Sequence, residues 1–184
     1  RGCLLHFQEV AQVGLTVIAY HIPGRAVVKL SLETIESLSR IPHIVAIKES
    51  SGDLELIAKV ARFMPVFSGD DDLCLKIMRA GGVGSIGVTP NVIPQGWKRM
   101  VQLCLEGDWE KAELLFRHYL PLCKSLFLET NPQCVKYALS WLGRCRSTLR
   151  LPMVVPEISV QRAIKKEIVH LSLPYSKVKL TLGS

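Results

Sequence analysis

Apolar and polar positions change their period several times along the first 90 residues. Short runs in which every position is apolar, such as Ile44 to Ile47, are typical of strands buried on both faces. Between them lie segments whose apolar residues recur every three or four positions, as on one face of a helix. The pattern predicts strands at 15–20, 43–48, 65–68 and 82–89, and helices at 1–14, 30–40, 54–63 and 73–80.

The order of these elements predicts an α/β fold with a parallel sheet. A helix that connects two strands of one sheet must cross over it, so that the strands run in the same direction. Ser51 or Asp53 is placed to cap the helix at 54–63, and the segment HIPGR at 21–25 reads as a turn. The acids of SGDDD precede the helix at 73–80, where capping explains them.

Strand patterns stop near residue 91, and helical patterns continue to about residue 170. Asn131 followed by Pro132 predicts a cap and a first-turn residue for one of these helices. The tail at 173–184 has no assignable pattern. We therefore expect one domain at 1–90 with further helices at 91–172, the predicted helices being 92–108, 109–129, 132–143 and 156–170.

Composition and charge exclude several classes of protein. The chain of 184 residues is 48% hydrophobic and 21% charged, which is ordinary for a globular protein. No run of 18 apolar residues is present, so no membrane span is expected. Most of the net charge of +7 lies in 144–184, which has one aromatic residue, Tyr175, and no nucleic-acid motif, so a solvated basic helix and tail is the favoured reading. The segment that begins at Arg1 reads as a helix already under way, so we expect a longer protein.

Cysteine and glycine patterns predict neither a metal nor a nucleotide cofactor. The six cysteines form no CxxC pair and have no histidine at ligand spacing, which favours small buried side chains in a reducing cytoplasm. Gly82, Gly84 and Gly87 fit GxGxxG, but a helix precedes them and none follows directly, unlike a dinucleotide fingerprint.

Lys48 ends a predicted buried strand, which is an unusual place for a lysine. In parallel α/β proteins the carboxyl ends of strands carry the chemistry. By alternation Lys48 should share a face with Ala46 and Ile44, and Tyr20 ends the preceding strand, five residues before Arg25. A lysine, a tyrosine and an arginine together suggest imine chemistry, in which an amine attacks a ketone, a phenol moves protons and a guanidinium binds a carboxylate.

Five segments, in order and at matching spacings, carry a family resemblance: YHIPGR, VAIKESSGDL, FSGDDD, GGVGSIGVTPN and NPQCVKYAL. Over about residues 1–172 the chain resembles the second half of dihydrodipicolinate synthases. The resemblance implies strands five to eight of a (β/α)₈ barrel with C-terminal helices. It also implies condensation of pyruvate with aspartate-semialdehyde in lysine and diaminopimelate synthesis, with no cofactor and no metal, in a cytoplasmic homotetramer.

The resemblance assigns roles to five residues of this chain. The Schiff-base lysine falls on Lys48, the proton-relaying tyrosine on Tyr20, and the arginine for the aldehyde's carboxylate on Arg25. The carbonyl facing pyruvate falls on Ile86, and a pocket-lining glycine on Gly69.

The chain departs from the family in three respects. His21 replaces the usual Asn after the tyrosine, for which we expect a modest effect on turn geometry. Cys134 replaces a proline of the NPxPxK segment, while Lys136 is retained. About 110 residues of the family's barrel are absent, with the segment that binds the pyruvate carboxylate, a relay threonine, a second tyrosine and the lysine feedback site.

Two other readings stay open at this stage. A sister aldolase, such as N-acetylneuraminate lyase or a keto-sugar-acid aldolase, would share Lys48 and Tyr20 but usually not Arg25. A non-catalytic remnant is the other reading, because half a barrel leaves open edges and an uncovered inner face. Such a fragment would aggregate, dimerise or need its other half, and we expect it to be inactive alone.

Overall fold

A computed structural model describes residues 1–173, and the predicted tail lies almost wholly outside the described residues. The chain divides into two units, one formed by 1–87 with 103–108 and the other by 88–102 with the residues from 109 onward.

The first unit has the alternating order that the sequence predicts. Its elements are α1 (Gly2–Ala11), β1 (Val17–His21), α2 (Pro23–Ala26), α3 (Leu32–Ser39), β2 (Ile44–Glu49), α4 (Leu54–Val60), β3 (Val66–Ser68), a 3-10 turn (Asp71–Leu73), α5 (Cys74–Arg79) and β4 (Gly84–Ser85). The helix α2 was predicted as a turn, and β4 is much shorter than the predicted strand at 82–89. The α/β class with a parallel sheet is confirmed.

The four strands form one parallel sheet in the order β1-β2-β3-β4. One face of the sheet carries the core, where Ala19, Ile47 and Val66 pack with buried side chains of the helices. On the other face, Ile18 and Tyr20 are 41% and 44% exposed. The strands are therefore covered on one face only, in contrast to the expectation drawn from their apolar runs.

An irregularity between β1 and β2 changes which residues share a face. Val17 pairs with Ile44, but Ile18 pairs with Ala46, so that Val45 has no partner in the register. The additional residue shifts the alternation, as a β-bulge does. Ile44 consequently lies in the helix-covered core, and the prediction that it shares a face with Lys48 is wrong.

The local signals at helix ends have mixed outcomes. Asp53 caps α4, because its side chain accepts a hydrogen bond from the Leu56 N–H at 3.0 Å. Asp71 and Asp72 lie in the 3-10 turn rather than in α5, and the side chain of Asp70, at the N-cap position of that turn, makes no capping hydrogen bond. The prediction that capping explains SGDDD is therefore wrong for Asp70.

The second unit is helical, with a 3-10 turn at Thr89–Asn91. Its helix α9 packs against two others, with Ile164 and Ile168 fully buried. Pro132 occupies the N-cap position with φ −103° and ψ 21°, which is outside the helical region, so the predicted Asn131–Pro132 cap is wrong. The helices are α6 (Pro94–Leu105, whose last turn belongs to the first unit), α7 (Trp109–Ser125), α8 (Gln133–Trp141) and α9 (Ile158–His170).

Candidate active site

Lys48 and Tyr20 lie side by side at the carboxyl ends of β2 and β1. The two residues are partners in the parallel register, so their side chains leave the same face of the sheet. The Lys48 Nζ lies over the Tyr20 ring, 4.0 Å from its centroid. This is the geometry of a cation–π contact, with the nitrogen over the electron-rich face of the ring. The structure thus joins the amine and the phenol that the sequence singled out.

Small residues surround the Lys48 side chain. Ala46, two residues before Lys48 on the same face, is small and buried. A Cβ added at Gly69 would come within 2.9 Å of the Lys48 Cε and 2.0 Å of the Ser50 Oγ. Gly69 therefore leaves room for the lysine side chain beside the end of β3, which gives this glycine a steric role next to the candidate amine.

The other two predicted residues are placed less directly. Ile86 follows β4, and its backbone N–H donates to the Ser68 carbonyl at 2.9 Å, which fixes its backbone beside β3. Arg25 lies exposed in α2. Within residues 1–173, Arg25 forms no hydrogen bond or ion pair with Lys48 or Tyr20. The structure does not join the guanidinium to the lysine and tyrosine pair.

A buried polar pair on the opposite face of the same strand ends was missed by the sequence reasoning. His21 and Glu49 are register partners, and the His21 Nδ1 lies 2.8 Å and 3.0 Å from the two carboxylate oxygens. Their exposed fractions are 2% and 1%. We expected His21 to have only a modest effect on turn geometry, but its side chain is buried and contacts Glu49. The signal in the sequence was a histidine and a glutamate each directly following the candidate tyrosine and lysine.

Several acids lie close to the end of β3. Burial raises the pKa of Asp70 above the ordinary aspartate value; the Ser50 side chain lowers it, and the charges of Asp72, Glu49 and Asp71 raise it further. Among residues 1–173, no group of three or more His, Cys, Asp or Glu side chains is arranged to hold a metal ion. Of these acids, Asp71 is buried, Asp70 is partly buried and Asp72 is exposed.

No helix among the described residues is both long enough and apolar enough to cross a membrane. Of the six cysteines, Cys74, Cys104, Cys123 and Cys134 are buried and Cys3 and Cys145 are partly exposed. Burial raises the pKa of the Cys104 and Cys134 thiols. These cysteines therefore behave as small core side chains.

The parallel strands make this an α/β protein, with a lysine and a tyrosine paired at the strands' carboxyl ends as a candidate site. A sequence model described as the Dihydrodipicolinate synthetase family matches residues 1–171. The chain belongs to this family.

Relatives at the sequence level carry one name. The 4-hydroxy-tetrahydrodipicolinate synthase of Leptospira biflexa is 40% identical over 176 residues, which are 92% of this chain and 60% of the relative. That of Koribacter versatilis is 41% identical over 158 residues, or 83% of this chain and 53% of the relative. The chain therefore spans little more than half of the length of the relatives that it matches.

Solved structures give the same result for the fold. The dihydrodipicolinate synthase from Aquifex aeolicus superposes with a TM-score of 0.91 at 35% identity, over 96% of this chain and 62% of that one. The enzyme from Cyanidioschyzon merolae, solved with lysine bound, gives a TM-score of 0.89 at 32% identity, over 94% and 60%.

Proposed function

We propose that this chain carries the imine-forming part of a 4-hydroxy-tetrahydrodipicolinate synthase. The observation that carries the proposal is the Lys48 Nζ over the Tyr20 ring at paired strand ends. The names of the relatives support the same activity. The substrates are pyruvate and aspartate-semialdehyde, and the chemistry uses neither a metal nor an organic cofactor.

The proposed reaction begins at the Lys48 amine. The uncharged amine adds to the keto carbon of pyruvate, and loss of water leaves an imine. Loss of a methyl proton converts the imine to an enamine, with Tyr20 as the group that moves protons. The enamine carbon then attacks the aldehyde carbon, and the aldehyde oxygen takes up a proton and becomes a hydroxyl. Attack of the substrate's own amine on the imine carbon closes the ring and releases Lys48.

Arg25, Ile86 and Gly69 have supporting roles in this proposal. Arg25 binds the carboxylate of the aldehyde substrate, for which its exposed guanidinium is available. The Ile86 carbonyl faces the bound pyruvate. Gly69 leaves room for the lysine, as its close approach to the Lys48 Cε supports.

We further propose that β1 to β4 correspond to strands five to eight of an eight-stranded barrel. Neighbours in sequence are neighbours in the sheet and all are parallel, as barrel strands are. The family's preceding strands, about 110 residues by the resemblance, would cover the exposed face that carries Tyr20, and the intact protein would be a cytoplasmic homotetramer. The 184 residues by themselves would turn over little or no substrate, because the site stays open to water.

Trapping with pyruvate and borohydride tests the imine directly. Wild-type chain should gain the mass of a reduced pyruvate adduct on the peptide that contains Lys48. Lys48→Arg should abolish this adduct, whereas Lys59→Arg, a change of an exposed lysine in α4, should leave it unchanged. A folded wild-type chain that is not labelled, or is labelled equally on other lysines, would contradict the proposal.

Substrate identity needs a second measurement. Chain that has not been treated with borohydride, supplied with the residues that the family places before it, should condense pyruvate with aspartate-semialdehyde faster than it cleaves N-acetylneuraminate or keto-sugar acids. Preference for a sugar acid would instead support a sister aldolase.

A further inference from the structure

The His21 ring connects three parts of the first unit. The Leu30 backbone N–H donates to the His21 Nε2 at 3.0 Å, so this nitrogen must be the unprotonated acceptor. The proton of the neutral ring is then on Nδ1, which donates to the Glu49 carboxylate. Glu49 Oε1 also accepts the Ser51 N–H at 2.7 Å. Both ring nitrogens of His21 are therefore committed, one to β2 and one to the chain at Leu30.

The segment between the two bonds is the loop that carries Arg25. We call residues 22–29 the arginine loop; it begins directly after His21 and ends directly before Leu30. Residues 24–29 are exposed, while His21 and Leu30 are buried. Both ends of the arginine loop are thus fixed at the same residue. Its first end follows His21 in the chain, and its last end is held by the hydrogen bond from Leu30 to the His21 ring.

The backbone of the arginine loop is strained at one residue, so contacts at the ends of the loop are needed to hold its conformation. Val27 has φ 58° and ψ 11°, in the left-handed region that β-branched residues rarely adopt. Its side chain is 91% exposed, so packing of that side chain does not hold it there. Strained residues persist where the surrounding structure determines them. Val27 ends α2 with its N–H donating to the Pro23 carbonyl at 2.9 Å, and the hydrogen bond from Leu30 to His21 fixes the chain three residues further on.

We propose that the His21–Glu49 pair is a positioning pair whose neutral imidazole closes the arginine loop onto the strand ends that carry Tyr20 and Lys48. Glu49 fixes the ring and its proton, and the ring's other nitrogen holds Leu30. Arg25 is thereby placed for a carboxylate-bearing substrate. The closure itself follows from contacts within the chain; only its link to Arg25's ligand rests on the proposed function.

Protonation of the His21 ring should release the end of the arginine loop at Leu30. A protonated ring has a hydrogen on Nε2, which would face the Leu30 N–H donor to donor, so protonation must release the loop end. The groups that face this region are Glu49 from β2, Tyr20 from β1 and, from α1, Cys3 and His6. Tyr20, Cys3 and His6 line the same cavity of about 300 Å³ as His21. At the loop end, Lys29 is paired with Asp53 at 3.0 Å, on the exposed side.

Two variants separate the contacts of the two ring nitrogens. The carbonyl oxygen of a glutamine can occupy the place of Nε2, so His21→Gln retains an acceptor for Leu30 that does not titrate. The amide nitrogen of an asparagine matches Nδ1, so His21→Asn retains the donor to Glu49 but is too short to reach Leu30. His6→Gln is the matched control, because His6 lines the same cavity but is not the partner of Leu30.

The decisive measurement is the protection factor of the Leu30 amide by hydrogen exchange, followed as the pH is lowered from neutral. Wild-type and His6→Gln chains should lose protection at Leu30 as the pH falls. His21→Gln should keep it at every pH, and His21→Asn should show about fivefold lower protection even at neutral pH. Nitrogen NMR of the His21 ring should show the proton on Nδ1 at neutral pH.

A proton on Nε2 at neutral pH would overturn the proposal, and so would a Leu30 protection factor that is the same in all four chains. The link to Arg25 is read separately, by NMR titration of the Arg25 side chain with succinic semialdehyde. Its apparent affinity should be severalfold weaker in His21→Asn than in His21→Gln. If wild-type chain does not bind this probe, the assignment of Arg25 in the proposed function fails while the closure remains measured. Equal affinities in both variants would remove the positioning role.

Discussion

Consecutive side chains at the end of β2 serve opposite faces of the sheet. Lys48 points toward Tyr20 on the exposed face, and Glu49 points toward His21 on the covered face. The same register that brings the amine to the phenol therefore brings the carboxylate to the imidazole. A shift of β2 by one residue would turn Lys48 to the covered face and Glu49 to the exposed face. The geometry of the candidate site therefore depends on the packing of the core.

Substitution of Gly69 tests how much room Lys48 needs. In Gly69→Ala the new methyl group would meet the Ser50 Oγ, the Lys48 Cε and, at 3.1 Å, the Glu49 carbonyl. Overpacking of this kind costs about 1–3 kcal/mol of unfolding free energy. We expect that loss in urea denaturation, together with much slower trapping of pyruvate at Lys48.

The control for this change is Gly2→Ala, where an added Cβ meets nothing within 4 Å. Adding Ser50→Ala to Gly69→Ala should recover part of the stability, since it removes the closest clash, but should leave trapping slow. If Gly69→Ala trapped pyruvate at the same rate as the wild-type chain, the reactivity of Lys48 would not depend on this glycine.

Asp70 gives a prediction for pH. Because its pKa is raised in the folded state, the protonated carboxyl favours folding, and that contribution is lost as the pH rises through the folded-state value. Asp70→Asn should therefore increase the free energy of unfolding at pH 7. The gain should shrink on acidification and vanish below the ordinary aspartate value of about 3.9. Urea denaturation at several pH values measures this.

The matched control for Asp70→Asn is Glu55→Gln, a change of an exposed carboxylate in the first turn of α4. It should give no comparable pH-dependent gain. A gain for Asp70→Asn that grows as the pH falls would reverse the sign and contradict the assigned cause.

At the scale of elements, the hydrophobic pattern was sufficient for the alternation of strands and helices and for their parallel pairing. It could not show the bulge at Val45, because one additional residue leaves the apolar run unbroken while it changes the side to which Ile44 points. It also could not show α2, which is one turn long and begins at a proline that equally suits a turn.

The candidate site was predictable to the same partial extent. Tyr20 and Lys48 were found from their places at strand ends, which a parallel register brings together. The His21–Glu49 pair was not found, because its partners at Nδ1 and Nε2 are distant in sequence and one is a backbone N–H. The Glu49 contact follows from the register of β1 and β2, whereas the Leu30 contact depends on the tertiary path of the arginine loop, which no local pattern contains.

Val27 is the strained residue of the arginine loop, and its replacement should relieve the strain. Val27→Gly and Val27→Asn each place a residue that tolerates the left-handed region where Val27 now lies. Because the Val27 side chain is 91% exposed, little apolar contact is lost. We expect both variants to be more stable by about 1 kcal/mol or less, measured by urea denaturation.

Val28→Asn serves as the control for the Val27 variants, since Val28 is 46% exposed and does not have a positive φ. It should give no gain. Loss of stability in both Val27 variants would show that the valine side chain contributes contacts that outweigh its strain.

At the scale of the whole molecule, one face of the sheet carries the core and the other carries the candidate chemistry. Family membership covers nearly the whole described chain, while the chain matches about 60% of the length of the relatives. A sheet with one face exposed at Ile18 and Tyr20 is expected to associate with other surfaces.

A charge on that exposed face tests this expectation. Ile18→Glu places a carboxylate where the native side chain is 41% exposed, so it should reduce concentration-dependent association with little loss of unfolding free energy. Ala19→Glu, one position further on the covered face, where the native side chain is 1% exposed, should instead prevent folding, because an unpaired charge would be buried in the core. Sedimentation velocity over a range of concentrations, with circular dichroism as the check on folding, measures both. Equal association of wild-type and Ile18→Glu chains would mean that the exposed sheet face is not the surface through which this chain associates.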